Sequence, residues 1–125
     1  MKVKQFIGID IIEIERIKRV VNRWGTRFLN RVYTDKEIEL YKNKIESLAV
    51  RFAAKEAAMK ALSPPDMSFN WRDIEILNET DGRPNISLYG KAREWAECLG
   101  ISALDISLSH SRDNAIALVI GIKEE

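Results

Sequence analysis

SLAVRFAAKEAAMKAL, residues Ser47 to Leu62, decides how the rest of the chain is read. Ala, Leu, Met, Lys and Glu are strong helix formers, and no Gly or Pro interrupts them. Ser47 is an N-cap candidate, and Ser63-Pro64-Pro65 supplies a stop. At about 100° per residue, Leu48, Phe52 and Met59 form one narrow line, with Lys55 and Glu56 in the same sector. Glu56 and Lys60 stack at i,i+4. Ala53, Ala54, Ala57, Ala58 and Ala61 leave little polar surface elsewhere, so the helix is expected to be buried against neighbours. Charges inside such a helix need partners. Two readings follow: a buried ion pair that ties the helix down, or one half of a binding site whose other half lies elsewhere in the chain.

The 125 residues are the length of one domain with one core. Hydrophobic content of 46% and charged content of 31% belong to a folded chain in water rather than a disordered one. No apolar run approaches the roughly 18 residues of a membrane span. The opening MKVKQF has no signal-peptide core, and the lone Cys98 has no internal disulfide partner, so a cytoplasmic setting is expected. One Cys and one His nearly exclude a zinc site of Cys/His type. A net charge of +1 argues against nucleic-acid binding over the whole surface. The charge is unevenly placed, however. Arg16 to Arg31 holds six Lys or Arg and no acid.

Phe6 to Ile12 is a short apolar run that reads as a buried strand. Asp10 breaks it, on the same face as Gly8 and Ile12 by the period of two. Asp is disfavoured in strand interiors, so this carboxylate either caps the next helix or has a specific task. Glu13 to Trp24 predicts an amphipathic helix: Ile14, Ile17, Val21 and Trp24 form its apolar face, and Arg16, Arg19, Arg23 and Arg27 lie opposite. Gly25 suits its C-terminal cap. That arginine row has no compensating acids at i,i+4, which makes an acidic partner a live alternative to a merely solvated face. Phe28 to Tyr33 reads as a linking segment with aromatic anchors. Thr34-Asp35-Lys36-Glu37 matches a capping box opening a helix through about Lys42. After the 47–62 helix comes a loop from Ser63 to Asn70. Trp71–Asn78 and Asn85–Tyr89 then form a hairpin around the Asp81-Gly82-Arg83-Pro84 turn. Gly90 to Leu99 is a helix ended by Gly100, and Leu104–His110 and Ala115–Ile122 form a second hairpin. The order β-α-α-α-β-β-α-β-β describes an α+β domain over residues 1–125 with a mainly antiparallel sheet and helices packed on it.

Two carboxylates sit in unusual places, Asp10 on a strand and Glu56 on a buried helix. Lys55 and Lys60 flank the second. Carboxylates joined by substrate phosphates are the usual way to hold Mg²⁺, and adjacent lysines suit phosphate charge. His110 closes a strand and is followed by Ser111, Arg112 and Asn114, another anion-contact candidate. Neither GxxxxGK[ST] nor GxGxxG occurs, so the two common nucleotide-binding loops are absent. The residues point to a Mg²⁺-dependent phosphate-handling site.

Four segments resemble the holo-acyl-carrier-protein synthases, the short-chain 4′-phosphopantetheinyl transferases. They are Gly8-Ile9-Asp10-Ile11 leading to Arg16, Phe28 through Tyr33-Thr34 to Glu37, RFxxKEAxxKA from Arg51 to Ala61, and Ser107-Leu108-Ser109-His110. The resemblance implies that fold and the transfer of 4′-phosphopantetheine from coenzyme A to a serine hydroxyl of apo acyl carrier protein. Adenosine 3′,5′-bisphosphate would be released, and the setting would be fatty acid biosynthesis. It also implies that Asp10 and Glu56 ligate Mg²⁺, that Arg51, Lys55 and Lys60 sit against phosphates, and that His110 lies near the nucleotide. Asp10, Glu56 and Lys60 would carry the catalysis. Glu56 would accept the serine proton, directly or through a metal-bound water. A homotrimer with coenzyme A between subunits is implied, as is docking of the acidic carrier protein on the Arg16, Arg19 and Arg23 face. One departure stands out: the family usually has a glycine-rich loop where Ser63 to Asn70 has no glycine. The rival reading is a non-catalytic α+β binding module. It would use the Arg16–Arg31 face for an acidic partner, with Asp10, Glu56 and Lys60 as a structural charge network.

Overall fold

The computed structural model describes residues 2–65 and 69–125. Its elements are strand β1 (Val3–Glu13), helices α1 (Ile14–Trp24), α2 (Thr26–Val32), α3 (Asp35–Tyr41) and α4 (Ile45–Leu62), hairpin strands β2 (Ile74–Asn78) and β3 (Pro84–Leu88), helix α5 (Gly90–Leu99), and strands β4 (Ala103–His110) and β5 (Asn114–Glu124). The α+β class and the order of elements hold, with one helix more than the sequence pattern suggests. The strands form two antiparallel sheets, β1-β5-β4 and β2-β3.

The extra helix is α2, in the stretch expected to be a linker. Gly25 adopts φ +54°, which turns the chain sharply after α1, and its carbonyl accepts from Phe28 and Leu29 N–H. Leu29 and Val32, three apart, then face the core from one side of a single short helix. Seven residues are too few for their periodicity to stand out in sequence. Helix α4 starts two residues earlier than Ser47 suggests, with Lys44 as its N-cap and no side-chain cap. Packing rather than capping sets that end, because Ile45 lies against the core. At the other end Ser63 has φ 43°, a left-handed conformation in which glycine is more common, and its N–H caps Met59 O at 2.8 Å. The glycine-free loop thus begins with a serine performing a glycine's turn. Its residues 66–68 lie outside the described residues. Glu13, expected to open α1, is the last residue of β1, and Trp71–Asp73 forms a 3₁₀ turn ahead of β2 rather than part of the strand. The Thr34 capping box on α3 is present in both its hydrogen bonds.

Helix α4 lies across one face of the three-stranded sheet. Gly8, Asp10 and Ile12 of β1 pair with Val119, Ala117 and Ala115 of β5, and directly opposed residues share a face. Ala115, Ala117 and Val119 are fully buried under the equally buried Ala53, Ala54, Ala57 and Ala58 of α4. Small side chains on both surfaces let helix and sheet approach closely. At Gly8 the approach is at its limit: a Cβ there would stand 1.9 Å from Ala57 O and 2.7 Å from Ala61 N. Helix backbone, not a movable side chain, fills that space. Among the described residues no helix covers the opposite face of the sheet. Ile7, Ile9 and Ile11 are each more than half exposed there, beside Ile116. Gly8→Ala is therefore expected to destabilise the fold by about 3 kcal/mol, at the upper end of overpacking costs. Urea denaturation would measure it, and a loss under about 0.5 kcal/mol would show that α4 can move off β1 freely.

Candidate active site

Asp10 lies midway along β1 on the face that meets α4, and Lys60 reaches it from the last turn of that helix. Lys60 Nζ is 3.0 Å from Asp10 Oδ1 and 3.1 Å from Ile9 O. The Asp10 side chain is 17% exposed and that of Lys60 56%, so the pair opens to solvent at one end. Glu56, one helical turn before Lys60, completes the group. Its carboxyl is pushed above the usual glutamate range, first by burial and next by the negative charge of Asp10. Lys60 and Arg16 pull it down, without cancelling the rise. Strand β1, helix α1 and helix α4 thus bring two carboxylates and two cations to one place. Two oxygen-donor carboxylates, one of them partly buried, fit a hard divalent cation that takes its remaining ligands from phosphate and water. No cluster of three or more His, Cys, Asp or Glu occurs among the described residues, so protein alone does not make a full coordination shell.

Lys55 and Arg51, expected against phosphates, are elsewhere. The Lys55 ammonium is fully buried, 2.8 Å from Glu37 Oε1, and donates to Trp71 O at 3.1 Å and to Ile74 O. Its three donors are engaged. Burial lowers its pKa, and Glu37 opposes that shift. Glu37 in turn accepts from Thr34 N–H and Ile76 N–H, each at 2.8 Å. Arg51 is 2% exposed, stacks 3.5 Å over the Tyr41 ring and donates to Ile76 O, Ser47 O and Asn78 Oδ1. Both cations hold the β2-β3 hairpin against α4. The helical step turns residue 55 about 100° from residue 56, and here that sends Lys55 to Glu37 and the hairpin while Glu56 is near Asp10. The two readings of the charged helix are therefore both realised, on different faces. Lys55 forms the buried ion pair, and Glu56 with Lys60 forms the open site.

His110 ends β4 opposite Ala115, which itself pairs with Ile12, so it lies on the Asp10 face of the sheet. It is exposed, two strands from Asp10, and its Nδ1 lies 3.4 Å from Ser111 O. Within this chain it does not join the carboxylate pair. Arg16, expected on a partner surface, is close enough to Glu56 to affect its ionisation. Arg19 and Arg23 are exposed on α1. Farther along, Val20, Trp24, Arg27, Phe28 and Arg31 line an open cavity, and the Arg23 and Arg27 guanidiniums lie over the Trp24 ring at 5.2 and 5.8 Å. Trp24 and Phe28 belong to different helices, α1 and α2, so no single-helix periodicity marks this apolar patch among arginines.

Residues 6–119 match the family model of the 4′-phosphopantetheinyl transferase superfamily. The chain belongs to this superfamily. It is an enzyme, a phosphopantetheinyl transferase. The holo-[acyl-carrier-protein] synthase of Dehalococcoides mccartyi is 52% identical over 115 residues, covering 92% of this chain and 96% of the relative. That of Herpetosiphon aurantiacus is 47% identical over 122 residues, with the same two coverages. Among solved structures, the Helicobacter pylori holo-[acyl-carrier-protein] synthase in complex with coenzyme A superposes with a TM-score of 0.82 at 38% identity, covering 92% of the transferase and 98% of that chain. No helix among the described residues is long and apolar enough to cross a membrane.

Because Glu37 sits in a dry interior, removing only its partner leaves a buried charge. Lys55→Met is expected to cost the transferase about 3–5 kcal/mol, and Glu37→Gln/Lys55→Met to recover a large part of it. Guanidinium unfolding of the three proteins checks this. A double variant no more stable than Lys55→Met would mean that the unpaired Glu37 charge is not the source of the loss.

Proposed function

We propose that this chain is a Mg²⁺-dependent holo-acyl-carrier-protein synthase: it moves 4′-phosphopantetheine from coenzyme A to a serine hydroxyl of an apo carrier protein. The observation that carries the reading is the convergence of Asp10, Glu56 and Lys60 at the open edge of the α4–β1 contact. The serine oxygen forms a bond to the phosphorus that bears pantetheine, and the pyrophosphate P–O bond breaks. Adenosine 3′,5′-bisphosphate departs with that oxygen. When bound, Mg²⁺ supplies charge neutralisation for the pyrophosphate. Asp10 and Glu56 hold it. Lys60 binds a phosphate oxygen. Glu56 is placed to accept the serine proton, directly or through a water.

Arg16 stands at the boundary between this site and the basic face of α1. Arg19, Arg23, Arg27 and Arg31 would meet the acidic carrier, and the apolar cavity of Val20, Trp24 and Phe28 would take a hydrophobic side chain from it. The exposed sheet face of Ile7, Ile9, Ile11 and Ile116 supports association with further copies of the chain, and a trimer is the assembly that the family resemblance implies. The likeness to a coenzyme A complex supports coenzyme A as donor, with His110 presented to the nucleotide at a subunit boundary. The exposed free thiol of Cys98 suits the cytoplasm.

Incubating the protein with apo acyl carrier protein, coenzyme A and Mg²⁺ is expected to add one phosphopantetheine mass to the carrier in a mass spectrum. Chelating the metal should stop the addition. Glu56→Gln should slow it by about 10²–10⁴-fold. An unmodified carrier under the full conditions would sink the transferase assignment for that carrier and favour a binding module. Arg23→Glu is expected to raise KM for the carrier about fivefold or more, with KM for coenzyme A unchanged. A parallel rise in both would remove α1 from the docking surface.

A further inference from the structure

Helix α4 carries three cations, and the structure treats them differently. Arg51 and Lys55 are buried, each donating to several fixed acceptors. Lys60 is more than half exposed, and it is held at two points only, Asp10 Oδ1 at 3.0 Å and Ile9 O at 3.1 Å. A lysine is a compact charge on a four-carbon stem whose ammonium can change partners by rotation about that stem. It is the cation of α4 free to do so.

We propose that Lys60 sets the metal affinity of the carboxylate pair. In the substrate-free protein its ammonium stands in for the divalent cation on Asp10, and it moves to a substrate phosphate when the metal takes its place. This rests on the reading of Asp10 and Glu56 as metal ligands given above. The chemistry is a competition for one carboxylate oxygen. Without a metal, Asp10 and Glu56 repel each other, and the Lys60 ammonium 3.0 Å from Asp10 Oδ1 offsets that negative charge. An ammonium on Asp10 therefore stabilises the empty site. A dication arriving at the same oxygen must displace that ammonium and tolerate it nearby, which weakens binding of the metal alone. Phosphate changes the balance, since it gives the released ammonium a new anionic partner. Metal and phosphate ligand then bind with positive cooperativity, and the coupling is reciprocal: each tightens the other by the same factor.

Mn²⁺ serves as a paramagnetic probe, titrated into the protein and followed by the loss of free-ion EPR signal. Wild type and Lys60→Met are compared with and without adenosine 3′,5′-bisphosphate, after thermal melting has established that the variant is folded. Lys60→Gln, which keeps a hydrogen-bond donor for Ile9 O, repeats the measurement without the charge. Both variants are expected to bind Mn²⁺ alone about three- to tenfold more tightly than wild type. They should also gain less Mn²⁺ affinity than wild type on adding the bisphosphate. Unchanged or weaker binding of Mn²⁺ alone by folded variants overturns the proposal by itself. Mn²⁺ affinity that survives intact in both Asp10→Asn and Glu56→Gln overturns the metal-ligand reading, and the proposal with it.

Discussion

The contact that the rest of the molecule depends on is the near-touching of α4 and β1 at Gly8. With no Cβ at that position, the helix backbone at Ala57 and Ala61 comes down onto the strand. Every feature of the site follows from the distance this sets. Asp10, two residues along the strand on the same face, comes within hydrogen-bond reach of Lys60. Glu56 comes near enough to Asp10 for their charges to interact, which together with burial raises the Glu56 pKa. A bulkier interface would hold the carboxylates apart and leave two ordinary surface acids. The alanines of α4 and Ala115, Ala117 and Val119 of β5 extend the same close contact across the sheet. Their contribution to function is geometric rather than chemical.

A second constraint holds α4 from its other side. The Lys55–Glu37 pair, with Arg51 on Tyr41 and the Ile76 carbonyl, joins α3, α4 and the β2-β3 hairpin through buried polar contacts. No buried side-chain polar atom among the described residues lacks a partner, so the network carries none of the desolvation cost of an unpaired group. Such networks contribute a defined arrangement more than raw stability, because each charge must be desolvated before it can be paired. Here the arrangement fixes the rotation of α4 about its axis. That rotation determines that residue 56, and not residue 55, faces Asp10.

The open site and the basic face of α1 meet at Arg16, whose charge reaches Glu56. On the docking proposed above, a carrier protein bound along the arginines and over the Trp24 cavity would have its reacting serine delivered beside Glu56. Docking and chemistry would share a boundary residue, which couples correct placement of the carrier to the charge state of the site.

Much of this was legible in residues alone. The period of two placed Asp10 with Gly8 and Ile12, helix propensity located α4 to within two residues at its start, and the Thr34 capping box formed as its spacing required. The local rules suffice there because each depends on neighbours in the chain. The RFxxKEAxxKA run, in register with three further segments, indicated the family, and the match over residues 6–119 bears that out. What the sequence left open was decided by contacts between distant residues. Whether a lysine in an alanine-rich helix is functional or structural depends on what lies across from it. Glu37, 18 positions before Lys55, settles that from a capping box whose acid has a second role. Helix α2 was too short to declare itself, and took its form from Gly25 and from the core that received Leu29 and Val32. The separation of one charged run into a buried tie and an open site is likewise tertiary. Only packing fixes how a helix is rotated, and rotation decides which of two adjacent side chains meets water.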